Sequence, residues 1–289
     1  MSAKQAIDLK KTAIDWLGIL PFLLFAVMFL IAPTLYLVTG AFLNPAGEFT
    51  FDNISGLFTD KILASYWISI RVSLASSLGG AFIGFFLAWA VVLGGLPSWI
   101  RSSLLTFSGV ASNFAGIPLA FAFIATLGRL GLVTVLLKSL FGFDLSRSFN
   151  ILSFWGLTIT YLFFQIPLMI LIIAPALEGL KREWREAAEV LGATSLQYWR
   201  MVAMPILSPA LLGTFALLFA NAFGAVATAI ALTGSSLNIV PIQLYAQIRG
   251  DVLGNPNLGY AMAFGMIVVT AVANVVYIWL RIRAERWLK

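Results

Sequence analysis

The residues with the most chemical potential per position lie between Glu178 and Pro205. This stretch holds Glu178, Lys181, Arg182, Glu183, Arg185, Glu186, Glu189 and Arg200, eight of the 30 charged side chains (18 Lys and Arg plus 12 Asp and Glu). Its first half consists of good helix formers, and Glu178 with Arg182 is spaced to pair at i, i+4. Gly192 is expected to stop or bend that helix. Ala188 and Gly192, four apart, would share a face that another backbone can approach closely. Pro205 suits a first helical turn, where an amide proton is not needed. None of this is hydrolytic chemistry. With no His and no Cys, the chain lacks imidazole bases, thiolates, disulfides and most zinc or haem ligation. It has no H-E-x-x-H and no G-x-x-x-x-G-K-[ST], so ATP hydrolysis of the usual kind is absent from it.

The elements that must hold this stretch are read from composition. The sequence is 61% hydrophobic and 10% charged, against roughly 45–50% and about 25% in soluble domains, so much of its surface must face lipid. Charge-free runs extend over Trp16 to Gly47, Val72 to Ile100, Ser102 to Gly128, Ser148 to Leu177, Met201 to Ile248 and Val252 to Leu280. Each exceeds the roughly 20 residues that cross a bilayer core. The fifth contains turn chemistry at Thr233 to Asn238 and Pro241, which leaves one span and an external segment. The fold expected is an all-α integral membrane domain over 1–289, with six spans at about 17–42, 67–94, 103–127, 150–176, 206–232 and 259–281. The run Leu130 to Leu137 is too short to span and reads as interfacial. The first hydrophobic run is much longer than a cleavable signal and is expected to be retained as the first helix.

Lys and Arg collect on the cytoplasmic side of short loops. With both termini inside, that side holds Lys4, Lys10, Lys11, Arg101, Lys181, Arg182, Arg185, Arg200, Arg281, Arg283, Arg286 and Lys289, and the outside holds Lys61, Arg71, Arg129, Lys138, Arg147 and Arg249. That split of 12 to 6 places residues 178–204 in the cytoplasm. The net charge of +6 thereby reports topology, not a nucleic-acid partner.

Inside the spans no ionisable residue lies deep, which removes the usual marker of ion-coupled transport. Arg71 sits near an outer end and reads as an anchor that snorkels to water. Thr214, Asn221 and Thr228 recur every seven residues on the fifth span; they line a path or bond one helix to another. Phe219 and Phe223 could close an apolar gate by dewetting, or pack in the core. Gly79, Gly80 and Gly84 offer close helix contact within the second span.

The pattern Glu186-Ala187-Ala188, three residues, Gly192, nine residues, Val202-Ala203-Met204-Pro205 resembles the EAA motif of permease subunits of binding-protein-dependent ABC importers. Val202 and Met204 depart conservatively from the Ile and Leu common there. The likeness extends over most of the chain, and Ile173 to Pro209, Phe49-Thr-Phe-Asp-Asn-Ile54 and Asn255-Pro-Asn-Leu-Gly-Tyr260 look most like the spermidine/putrescine-type branch. The resemblance implies the type I importer permease fold in a bacterial inner membrane. Glu186, Ala187, Ala188, Gly192 and Pro205 would then form a coupling helix seated on the ATP-hydrolysing subunit. It also implies two ATP-binding subunits that carry the ATP-Mg, a second and usually different permease chain, and an external solute-binding protein. No cofactor is expected in this chain. A helix that passes motion needs charge to position it, small residues for close packing and rigid ends, and the pattern supplies all three. The branch implies a polyamine; ferric iron, aminoalkylphosphonates, thiamine and opine-type solutes belong to near relatives. A passive channel or lone secondary transporter is the rival class, in which the patterned loop would have no task.

Overall fold

The computed structural model describes residues 9–234, 236–250 and 256–285. Lys4, Asn255, Arg286 and Lys289 lie outside them. The described residues are helical apart from turns and one isolated antiparallel bridge, Leu43 to Phe49. Six stretches are long and apolar enough to cross a membrane: Gly18–Gly40, Asp60–Leu93, Ile117–Phe141, Phe154–Glu178, Ser195–Gly224 and Asn257–Arg283. The number agrees with the sequence reading, and the third stretch does not.

The helices group into two compact units, Met1–Thr59 with Gln247–Met266 and Asp60–Ala246 with Ile267–Lys289. In the first, α1 (Leu9–Ala26) runs through a π turn (Val27–Ile31) into α2 (Ala32–Gly40), and α3 (Asp52–Gly56) follows a tight turn. Nearly every residue of Gly18–Gly40 is exposed, as an apolar helix must be when its solvent is lipid. Asn53 Nδ2 donates to the carbonyls of Leu43 (2.8 Å) and Ala41 (3.2 Å), and Asn257 Nδ2 donates to the same Leu43 carbonyl.

The second unit is built on α4 (Asp60–Leu93) and, later in the chain, α9 (Phe154–Glu178). Between them run α5 (Ser98–Asn113), α6 (Ile117–Leu127), α7 (Leu132–Phe141) and α8 (Leu145–Ser148). After α9 come α10 (Arg182–Val190), α11 (Ser195–Tyr198), a π turn (Trp199–Ala203), α12 (Met204–Gly224) and α13 (Val226–Thr233), then α14 (Val240–Gly250) and α15 (Pro256–Glu285), whose described residues between Gln247 and Met266 belong to the first unit. Helices α4 and α9 pack along their length, and come closest where glycines leave α4 without a side chain. A Cβ on Gly80 would lie 2.7 Å from Gln165 Cβ, and one on Gly84 would lie 2.6 Å from Met169 Cβ. Without a hydrophobic drive between helices in lipid, close van der Waals approach of this kind holds a bundle together.

Serines supply the polar part of the same face. Ser65, Ser69, Ser73, Ser76 and Ser77 are all buried. Ser69 Oγ accepts from the Val240 amide at 2.8 Å, which pins the start of α14 to α4. Gln165, fully buried, donates through Nε2 to the Leu218 carbonyl (2.9 Å) and to Ser77 Oγ (3.3 Å), joining α9, α12 and α4.

Two expectations need correction. The third span, expected to run unbroken over 103–127, is divided between α5 and α6 at Phe114-Ala115-Gly116. Gly116 sits at φ +75°, a conformation only glycine adopts freely, and Pro118 opens the next helix. The fifth span, expected over 206–232, ends at Gly224. Ala225 (φ −76°, ψ 75°) is non-helical, and α13 begins after it.

Candidate functional site: an exposed capped segment and two helix breaks

Helix α10 stands clear of its own chain, with no buried residue. Its length is braced by Arg182–Glu186 (2.8 Å) and Arg185–Glu189 (3.1 Å) ion pairs. The expected Glu178–Arg182 pair does not form. Glu178 closes α9, and Gly179-Leu180-Lys181 turn the chain before Arg182, so the i, i+4 relation is lost; Glu178 pairs with Arg101 of α5 instead.

The C-terminus of α10 is built as the sequence suggested, with one difference. Gly192 is left-handed (φ +77°), and the Ala193 amide bonds back to the Ala188 carbonyl at 2.9 Å, a Schellman closure. No atom lies near the site of a Gly192 Cβ, so backbone conformation, not close packing, demands the glycine. Gly192 therefore does not share the helical face of Ala188. Ala187 is exposed and Ala188 half-buried. Beyond the turn, the Thr194 hydroxyl accepts from the Gln197 amide (3.3 Å) while Gln197 Oε1 accepts from the Thr194 amide (2.7 Å), a capping box that starts α11.

Pro205 falls in the first turn of α12, directly after a π turn in which the Met204 amide reaches back to the Trp199 carbonyl. Trp199 packs edge-on against Trp89 of α4, ring centroids 5.7 Å apart. The segment is thus held against the other helices at both ends, through Glu178 and Trp199, and uncovered between them. Sequence reasoning missed its tip: Val190 and Leu191 are 87% and 86% exposed, and Leu196 and Met201 nearly as much. Apolar side chains so presented beside a charged helix call for a partner surface. The signal was the Val-Leu pair closing an otherwise charged helix.

The second feature is where the two broken spans meet. The Gly116 amide donates to Thr228 Oγ1 at 2.7 Å, and Tyr161 of α9 donates its hydroxyl to the Ala225 carbonyl at 2.6 Å. Each break frees backbone groups that apolar surroundings cannot satisfy, and these two bonds pair one group from each. Around them lies an open cavity of about 480 Å³ whose polar lining is Ser112, Asn113, Asn221 and Thr228. Asn113 Nδ2 is turned back to the Gly109 carbonyl (2.9 Å), while Asn221 is exposed to the cavity.

The other expected path residues are placed elsewhere. Thr214 is buried and bonded to the Ala210 carbonyl of its own helix (2.7 Å). Because α12 ends at Gly224, Thr228 no longer continues the seven-residue face of Thr214 and Asn221. Phe219 and Phe223 are buried and stacked on each other, centroids 5.7 Å apart, away from the polar cavity. Arg71 is exposed and lies over the Phe154 ring at 5.4 Å. Among the described residues there is no cluster of three or more acidic side chains fit for a metal ion.

Among the described residues, six stretches long and apolar enough to cross a membrane, with a charged helix exposed between two of them, define the chain as a multi-pass membrane protein. Residues 80–289 match the family of binding-protein-dependent transport system inner membrane components, and the chain belongs to that family. It is 29% identical over 177 residues to the sulfate transport system permease protein CysT of Salmonella typhimurium, covering 61% of this chain and 60% of that one. It is 27% identical over 121 residues to the spermidine/putrescine transport system permease protein PotC of Escherichia coli, covering 42% and 45%. The chain thus matches these curated relatives over about half to three-fifths of their length. In fold it is similar to a chain of a bacterial ABC transporter involved in the import of the acidic polysaccharide alginate, with a TM-score of 0.75 at 17% identity over 98% of each chain.

Proposed function

We propose that this chain is the permease subunit of an ATP-driven importer, one transmembrane domain with both termini and α10 on the cytoplasmic side of a bacterial inner membrane. The observation that carries this reading is the α10 segment, capped at Gly192 and Thr194, with an apolar tip that its own chain leaves uncovered. A surface of this kind fits the ATP-binding subunit, two of which would serve a pair of permeases. The second permease is a different chain, and an external solute-binding protein delivers the cargo. The solute path runs by the cavity at the helix breaks, where Asn221 presents a carboxamide among apolar spans.

For cargo, a small oxyanion of the sulfate kind is favoured. The likeness to a sulfate permease covers more of the chain than that to PotC. The cavity lining offers hydroxyl and carboxamide groups, and no carboxylate for a polycation. A polyamine is the second reading, favoured by the segments Phe49 to Ile54 and Asn255 to Tyr260. Asn53 and Asn257 in those segments hold the Leu43 carbonyl, so a structural task accounts for part of that likeness.

The experiment is purification from native membranes, followed by uptake of radiolabelled sulfate and spermidine by cells with and without the protein. Co-purification of a chain with a phosphate loop and a second six-span protein, with sulfate uptake lost on deletion, is expected. Loss of spermidine uptake alone would transfer the cargo to the polyamine reading. Recovery of this chain alone after cross-linking would sink the importer reading.

A further inference from the structure

The ion pair between Arg101 and Glu178 is not used by anything described above. Glu178 is the last residue of α9, three positions before Lys181 caps α10. Arg101 is in the first turn of α5. Their side chains are 34% and 47% exposed, so water reaches the pair without dissolving it. The first turn of α5 also borders an open space of about 410 Å³ lined by Leu96, Ser98, Arg101, Ser102 and Leu105. Among the described residues no packed side chain fills that space, so it leaves room beside this end of α5.

Helix α5 is about 24 Å long by its 16 residues, and it packs along α9. Its far end is the break itself. Phe114 packs against Phe163 of α9, centroids 5.9 Å apart, and two residues later Gly116 bonds to Thr228 of α13. The chain from α10 back to Glu178, the Glu178–Arg101 pair, α5 and the Gly116–Thr228 bond thereby connect the root of the exposed segment to the polar cavity. A helix tied at one end by charge and at the other by a hydrogen bond can pass a displacement from one end to the other, as chains of packed elements do between distant sites.

We propose that Arg101 is a positioning residue for transport, which links displacement of α10 through Glu178 and α5 to the opening of the cavity at Gly116 and Thr228. This rests on the permease reading above. It adds a specific route, and it assigns to an arginine near a membrane boundary a task other than anchoring.

The chain has no Cys, so Asn221→Cys gives a unique thiol in the cavity. In vesicles holding the complete complex with its ATP-hydrolysing subunits, the thiol is labelled with a water-soluble methanethiosulfonate, with and without ATP-Mg and vanadate, and ATP hydrolysis is measured in parallel. The labelling rate is expected to depend on nucleotide. Arg101→Ala and Glu178→Ala are expected to shrink that dependence about five-fold, the order set by a part-exposed ion pair, while ATP hydrolysis continues. Arg101→Lys keeps most of it, and the exchanged pair Arg101→Glu with Glu178→Arg restores it. An arginine that served only to anchor its helix end at the membrane boundary would not be rescued by exchange. Undiminished nucleotide dependence in Arg101→Ala, failure of the exchange to restore it, or a parent that hydrolyses ATP with constant labelling would each overturn this route. A parent complex with no ATP-hydrolysing partner would overturn the permease reading itself, and the route with it.

Discussion

The Gly116 amide and the Thr228 hydroxyl oxygen, 112 positions apart in sequence, meet at 2.7 Å and tie two interrupted helices together at their interruptions. Removing the acceptor leaves a backbone N–H without its partner at the edge of the cavity. Thr228→Val is expected to lower stability by about 1 kcal/mol, the usual size of such bonds in membrane proteins. Thr228→Ser should be near neutral. Tyr161→Phe, which strips the Ala225 carbonyl of its donor, should behave like Thr228→Val. Unfolding midpoints in mixed micelles are the measurement, and an unchanged midpoint for both variants would show that water satisfies the breaks.

Helix α4 and helix α9 approach through glycine, so a single methyl group tests their packing. At Gly84 it would lie 2.6 Å from Met169 Cβ and 2.9 Å from the Ile166 carbonyl oxygen, and the backbone atom cannot step aside. Gly84→Ala is expected to cost roughly 1–3 kcal/mol, as overpacking does. Gly18→Ala, with open space around it, serves as the control and should be silent in the same unfolding assay.

How much of this the sequence held depends on what kind of signal each feature leaves. The six apolar stretches were legible because charge is costly in lipid and its absence is unmistakable. The glycine stop of α10 was legible from composition and spacing. The breaks at Gly116 and Ala225 were not, because hydropathy does not sense backbone direction. At the first, Gly116-Ile117-Pro118 was a usable sign, a glycine for the turn and a proline for the new helix. At the second, nothing in Gly224-Ala225-Val226 announces a stop; the tyrosine hydroxyl that makes it tolerable comes from α9. The Glu178–Arg182 pair failed for a related reason, since i, i+4 arithmetic assumes one helix and Gly179 had ended it.

Gly192 carries the shape of the exposed segment that is proposed to dock on the ATP-binding subunit. A β-branched residue at φ +77° costs about 1–2 kcal/mol locally, and the chain would re-aim Val190 and Leu191 sooner than bear it. Gly192→Val is expected to leave membrane content normal and to weaken recovery of the ATP-binding subunit on purification. Gly192→Asn, tolerated in that conformation, should retain it. Glu186→Lys, which reverses charge on the exposed face and breaks the pair with Arg182, should also uncouple uptake from ATP hydrolysis. Normal uptake by Gly192→Val and Glu186→Lys together would defeat the docking role.

Asp144, in the turn between α7 and α8, gives a prediction about acid. The Ser146 hydroxyl first, then the Lys138 ammonium, favour its ionised form and hold its carboxyl below the ordinary carboxylate range. A depressed folded value means that the contribution is present at pH above the unfolded value and is lost only as pH falls through the folded one. Between pH 8 and 5 the turn should therefore keep its structure. The reporter is the Ser146 amide, which donates to Asp144 Oδ1 at 3.2 Å. Its hydrogen exchange, corrected for intrinsic rate, should stay protected to pH 5 in the parent. In Asp144→Ala the protection should be gone at every pH. Protection that fades between pH 7 and 5 in the parent would place the titration elsewhere. No His lies in the chain to supply it, so the effect would have to come from another carboxylate.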